Sequence, residues 1–277
     1  MAKGKHVADW TYDAVVAECR APYRGYHKEL RKRHTAYYNQ RTKQQSKKHP
    51  FAARKREYAF ADKWQKLAAT LPDDSWHVHH LSGGSSQTLL ISLLAPALQA
   101  RRDLSWLLSP SGPMPSVGNR PHADFEYSIG FGLLHELPRT TGIDFFVSGS
   151  EGVLCVEAKY MEEGLGRCSC PRRATGECAT PVLDRPYWDV AHEVFGLKGP
   201  SPPQSCRLSF TYQAVRNVAA ALELTGLRRR AAFGLLYDDR NPYFRQTGQW
   251  PGWPEVLRTT LDAYTTSLTS GPSRGRS

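Results

Sequence analysis

The chain has 277 residues, ordinary apolar content and a formal net charge of +11, which suits a globular protein with one large domain plus extensions, or two small ones. No apolar run reaches transmembrane length, since Leu89–Leu98 is short and holds Pro96, and the N-terminus MAKGKHVADW lacks an apolar signal core, so a soluble protein with a cytoplasmic location is expected. The charge is segregated: residues 1–66 carry 17 Lys+Arg against 6 Asp+Glu, while residues 67–277 carry 20 against 20.

A basic segment joined to a neutral domain is the pattern of a polyanion-binding arm. Residues 8–66 read as helical, with Pro22 expected to end the first helix. Arg24, Lys28, Arg31, Lys32 and Arg33 are interleaved with Tyr23, Tyr26, Tyr37 and Tyr38, and Lys47, Lys48, Arg54, Lys55 and Arg56 follow. Such a mixture suits phosphate contacts with stacking on bases; it equally suits a helix with its tyrosines on a core and its cations in water. Phe60, Trp64, Leu67 and Leu71 form one helical stripe that stops at Pro72. His77, His79 and His80 have no cysteine close by in sequence and read as solvated or hydrogen-bonded histidines.

Ser82–Ser86 is a turn without the Gly-Lys-Ser/Thr ending of a phosphate loop, and Ser85 or Ser86 is placed to cap the helix from Gln87 onward. That helix is apolar nearly all round, so burial is expected, with Pro96 kinking or interrupting it. Ser109–Arg120 reads as a loop. Asp124–Ile129 reads as an alternating strand carrying Glu126 between aromatics.

Gly142–Tyr160 reads as a hairpin: Ile143–Val147 is one strand, Ser148–Gly152 the turn, and Val153–Tyr160 the other. Alternation sets Leu154, Val156 and Ala158 on one face and Glu157 and Lys159 on the other, about 7 Å apart. Asp144 on the partner strand reaches the same face, and Glu126 is a candidate third acid from an adjacent strand. Carboxylates gathered on an apolar sheet repel one another and lose hydration unless something compensates. Mg²⁺, or Mn²⁺, is the candidate: Mg²⁺ takes oxygen ligands and is commonly held by one or two carboxylates. Lys159 beside it is suited to orienting a water and offsetting phosphate charge.

Asp144, twelve intervening residues, then Glu157-Ala158-Lys159 resembles the D…(D/E)xK signature of the PD-(D/E)XK, or restriction-endonuclease-like, nuclease superfamily. The resemblance spans about residues 120–240. The run Ser85-Ser86-Gln87 before an apolar helix, EAKY at Glu157–Tyr160, and Tyr212-Gln213 followed by Arg216-Asn217 resemble a group of little-characterised prokaryotic members.

Beyond the hairpin, Cys168-x-Cys170, seven residues, Cys178, 27 residues and Cys206 form a possible four-thiolate set in a Pro/Gly-containing loop, suited to zinc or an iron–sulfur cluster. Some superfamily members, certain CRISPR-associated exonucleases among them, hold such a cluster beside the nuclease core with different cysteine spacing. Cys19 and Cys155 read as apolar fillers. Ser209–Thr225 is a helix with Tyr212, Val215, Ala219 and Leu222 as its buried stripe and Gly226 as its C-cap. Ala231–Tyr237 is a buried strand. Trp250, Trp253 and Leu257 start a last short helix, and residues 267–277 read as a disordered tail.

The resemblance implies an α/β fold: a restriction-endonuclease-like core with a central mixed sheet flanked by helices, here with a basic helical N-terminal extension (1–66) ahead of a nuclease-like domain (67–266). It implies metal-dependent phosphodiester hydrolysis, most readily endonucleolytic cutting of DNA, with RNA as the weaker substrate choice. Asp144, Glu157 and the Ala158 carbonyl would hold the metal, Lys159 would position the attacking water, and Glu126 and Gln213 would assist. In several branches a glutamine on the helix after the ExK strand lines the active site. The competing expectation is a non-catalytic nucleic-acid-binding module with a structural zinc at the cysteines.

Overall fold

The structure, a computed structural model, describes residues 6–42, 84–99, 122–130, 133–134, 142–166, 186–197, 208–225 and 230–270. After a 3-10 turn at Val7–Asp9 come α1 (Tyr12–Thr42), α2 (Ser86–Gln99), β1 (His122–Ser128), β2 (Gly142–Ser148), β3 (Gly152–Lys159), α3 (Pro186–Glu193), α4 (Leu208–Thr225), β4 (Arg230–Tyr237) and α5 (Trp253–Ser270).

The sheet order is β1-β2-β3-β4. The first two pairings are antiparallel and the third is parallel, Gly152 standing opposite Arg230 and Lys159 opposite Tyr237. Parallel neighbours need a long crossover, and α3 and α4 lie within it. The mixed sheet flanked by helices is the α/β architecture expected from the sequence.

β3 is buried along its whole length, as a strand covered on both faces must be. Leu154, Val156 and Ala158 join Phe145 and Val147 against Leu90 and Leu94 of α2. Val153 and Cys155 join Phe146 and the α4 residues Ala214, Val215 and Val218 in the larger core. The helix α2 is capped by Ser85, whose Oγ accepts from the Thr88 N–H at 3.3 Å. It continues through Pro96 to Gln99, so that proline does not interrupt it. Around α4, burial goes beyond the expected stripe: Tyr212 and Leu222 are partly buried, while Ala214, Val218, Ala220 and Ala221 are buried. Cys19 and Cys155 are free and buried.

Three expectations need correcting. Pro22 does not end the first helix but sits inside α1. It is on the solvent side, so the carbonyl it leaves without a donor is not sealed in the core. Buried Cys19 before it and Leu30 after it hold both halves on the core. The last helix is not short: α5 runs 18 residues and takes in positions 267–270 of the tail read as disordered. The described part of the basic segment is not a separate arm either. Val7, Trp10, Val15, Val16 and Cys19 belong to the main core cluster, and the Val7 N–H donates to Thr260 Oγ1 of α5 at 3.2 Å.

The helical stripe at 60–71, the histidines at 77–80, the loop at 109–120 and the Gly226 cap lie outside the described residues. So do Lys47, Lys48, Arg54, Lys55, Arg56, Cys168, Cys170, Cys178 and Cys206.

Candidate active site at the open end of the hairpin

The hairpin closes where the Gly149 N–H donates to the Gly152 carbonyl at 2.9 Å. Its last paired residues at the other end are Phe145 and Val156. One step further, Asp144 and Glu157 face each other across the two strands, because cross-strand partners share a face. Asp144 does not only face the site: its Oδ2 accepts from the Ala158 N–H at 2.7 Å. That bond ties the aspartate to the backbone between Glu157 and Lys159.

Glu157 is 1% exposed and Lys159 4%. Lys159 Nζ lies 2.5 Å from Glu157 Oε1. The other oxygen, Oε2, accepts from Asn217 Nδ2 of α4 at 2.5 Å. A buried carboxylate with one ammonium and one amide donor is compensated well enough to persist inside a core.

Glu126 is where β1 departs from a regular strand. Its φ is +52°, the left-handed region that glutamate rarely enters. The β1–β2 pairing lapses there, between Phe125–Phe145 and Tyr127–Ile143. Alternation also breaks: Phe125 packs on Phe145 of the α2 face with ring centroids 5.1 Å apart, while Tyr127 stacks on Phe146 of the other face at 4.2 Å. The Glu126 carboxyl is hydrogen-bonded to Gln87, which is 4% exposed in the first turn of α2. A strained residue fixed by a buried partner is a common mark of a functional site.

Electrostatics bind the acids into one group. Burial pushes Glu126 up to about 7; the Gln87 hydrogen bond opposes the rise, Glu157 adds to it and Lys159 counters it. Asp144 is raised well above the usual carboxylate range by burial and by Glu157 and Glu126, against Lys159 and the Ala158 N–H. For Lys159, burial alone would lower the ammonium, but Glu157, Glu162 and Asp144 outweigh it and raise it. Lys159 therefore stays charged at neutral pH.

Among the described residues no three His, Cys, Asp or Glu side chains close into a cage for a metal ion. The donor chemistry nevertheless fits Mg²⁺ or Mn²⁺. Asp144, Glu157 and Glu126 bring hard oxygens together beside Lys159, and Mg²⁺ commonly uses one or two carboxylates and completes its shell with water and phosphate.

Around Lys159 the chain is locked by α1. The Tyr23 hydroxyl donates to the Met161 carbonyl, and the Tyr26 hydroxyl donates to the Tyr160 carbonyl at 2.8 Å and lies 3.2 Å from Asp238 Oδ2. His34 Nε2 is 3.0 Å from the Tyr160 hydroxyl. Tyr23 and Tyr26 thus serve the core, while Arg24, Lys28, Arg31, Lys32 and Arg33 are exposed.

Asp144, Glu157, Lys159 and Glu126 are therefore assembled together. Gln213 is one helical turn away: its N–H donates to the Leu165 carbonyl at 2.9 Å, and its side chain lies so close to Gly166 (φ +75°) that a Cβ there would meet Oε1 at 2.2 Å. The α4 residue that bonds Glu157 is Asn217, which with Arg216 makes a polar pair between the apolar residues 214, 215 and 218, 219. That interruption, four residues from Gln213, was the available signal. Gln87 gave a similar one at the start of an apolar helix.

A mixed four-stranded sheet with acids on three adjacent strands and a buried lysine beside them defines the class as restriction-endonuclease-like. The family described as restriction endonuclease associating with ARP matches residues 26–269, most of the chain, and the chain belongs to that family. Neither the curated proteins nor the solved structures contain a match to it. No helix among the described residues is long and apolar enough to cross a membrane.

Proposed function

We propose that the protein is a divalent-metal-dependent nuclease of the PD-(D/E)XK type that hydrolyses phosphodiester bonds in DNA, as an endonuclease. The observation that carries this reading is Asp144 bonded to the Ala158 N–H, with Glu157 and Lys159 on either side of that residue and paired at 2.5 Å. The family's description supports the nuclease assignment and DNA as the substrate.

Asp144, Glu157 and the Ala158 carbonyl would hold Mg²⁺ or Mn²⁺. The ion, when bound, supplies Lewis acidity toward the phosphate and a more acidic water. Lys159 is a fixed cation that lowers the cost of charge developing on the phosphate oxygens and orients the water. Glu126, the third acid of the group, would assist beside the ion. Asn217 holds the Glu157 carboxylate in one orientation, and Gln213 supports the loop that follows β3. Cations on the outer side of α1 add sequence-independent phosphate affinity. Zinc or an iron–sulfur cluster at Cys168, Cys170, Cys178 and Cys206 remains part of the proposal.

The test is incubation of supercoiled and linear DNA with the purified chain in Mg²⁺, Mn²⁺ or EDTA, beside Asp144→Asn and Lys159→Ala. Nicking or linearisation that needs the metal and vanishes in both variants supports the reading. DNA binding without cleavage in any metal points instead to the zinc-containing binding module.

A further inference from the structure

A second basic feature lies beside the site, and its key residue falls outside the basic N-terminal segment. An open groove of about 460 Å³ runs between α1 and the loop after β4. Gly25, Tyr26 and Arg33 line one wall; Arg240, Arg245 and Thr247 line the other. Three arginines thus line a space whose one acidic lining residue is Glu29. Arg33 is shared with Glu29 at 2.9 Å, and Arg240 is held by Asp238 through its Nη2 at 2.6 Å. Arg245 is exposed.

The wall bearing Arg245 is preorganised and tied to the candidate active site. Asn241, fully buried, donates through Nδ2 to the Tyr160 carbonyl at 3.1 Å and to the Glu162 carbonyl at 2.9 Å. Thr247 pairs with Trp250 and donates to the Pro242 carbonyl at 2.9 Å. Gly252, at φ +92°, lets the chain close on Arg245, whose backbone would stand 2.9 Å from a Cβ there. The opposite wall is tied to the same place, since Tyr26 bonds the Tyr160 carbonyl. Both walls are therefore fastened to the residue that follows Lys159.

We propose that this groove holds the phosphate backbone of the nucleic-acid strand being cut, with Arg245 and Arg33 contacting phosphates next to the scissile one. The proposal rests on the nuclease reading of the carboxylate–lysine site. Guanidinium forks on two walls suit the paired oxygens of successive phosphates. Fixed walls lose little entropy when the strand enters.

The test is fluorescence anisotropy of labelled DNA binding to the full chain in EDTA, as a function of salt. Arg245→Ala is compared with Arg230→Ala, which removes the same charge from an exposed residue at the far end of the sheet, opposite Gly152. Arg245→Ala should weaken binding about tenfold and reduce the slope of log K against log salt by about one, and Arg230→Ala should change neither. Gly25→Glu, at a helical position where an added Cβ meets nothing within 4 Å, should fold normally and weaken binding further. Equal effects from Arg245→Ala and Arg230→Ala, or unchanged binding in both Arg245→Ala and Gly25→Glu, would overturn the groove. Cleavage assays separate the two claims. A chain that cuts nothing but shows the Arg245-specific slope loses the nuclease reading and keeps the groove as a nucleic-acid site. A chain that cuts with metal but shows no such slope keeps the nuclease and loses the groove.

Discussion

Asn217 of α4 donates to Glu157 of β3 at 2.5 Å, and it is through this bond that the helix covering the sheet reaches the acids. Asn217→Ala leaves Glu157 with Lys159 as its remaining partner in a dry setting. The expected loss is about 1–3 kcal/mol of stability, with a fall in cleavage rate larger than any change in DNA affinity. Urea unfolding beside a cleavage time course checks both. Asn217→Asp sets a second carboxylate against Glu157 and should be worse on each count.

The Glu157–Lys159 pair gives a double-mutant prediction. Lys159→Met strands a buried carboxylate and should cost about 3–5 kcal/mol. Glu157→Gln combined with Lys159→Met removes both charges and should recover most of that loss. Neither variant should cleave DNA. If the double variant were no more stable than Lys159→Met, the pair would not be the buried unit described above.

Metal binding should be visible without turnover. The acids raised by burial and mutual repulsion, Asp144 foremost, penalise the metal-free fold. Mg²⁺ should therefore raise the melting temperature in a concentration-dependent way, following RT ln(1 + [L]/Kd). Asp144→Asn should raise the metal-free melting temperature and abolish the Mg²⁺ response. A thermal melt across a Mg²⁺ series decides it.

His34 sets a pH dependence. Burial, helped by Arg240, lowers its imidazole below the ordinary value of 6.5, and the Tyr160 hydroxyl lies against Nε2. Between the folded value and 6.5 the unfolded chain binds a proton that the folded chain does not. Stability should thus rise with pH across that window, and should be lost as pH falls from 6.5 to the folded value. His34→Gln, which keeps a neutral hydrogen-bonding group, should flatten this part of the curve. Urea midpoints measured from pH 5 to pH 7.5 give the comparison.

The hairpin and its three charged residues were legible in the sequence because a strand's period of two is local: Glu157 and Lys159 must share a face, and turn residues fix where the chain reverses. The helices α2 and α4 were legible for the same reason, from their apolar spacing, whereas α3, inside the cysteine-bearing stretch read as a loop, was not. Pro22 was misread because helix breaking is a local tendency, and anchors on both sides, Cys19 and Leu30, override it. Glu126 shows the converse. Its alternating neighbours read as regular strand, yet its backbone is left-handed, a choice made by the packing of Phe125 and Tyr127 on opposite faces and by the Gln87 side chain.

What the sequence determined by itself was which charged residues share one face of the hairpin, because residue type and spacing along one strand are properties of the chain. Only the tertiary structure decided that Asn217 rather than Gln213 bonds Glu157, and that Tyr23 and Tyr26 of α1 bond the segment after Lys159 while Arg24, Arg31 and Arg33 stay exposed. It alone set Arg245, far along the chain, opposite Arg33. Those relationships depend on which surfaces must be buried against one another, and burial is settled by the whole core at once.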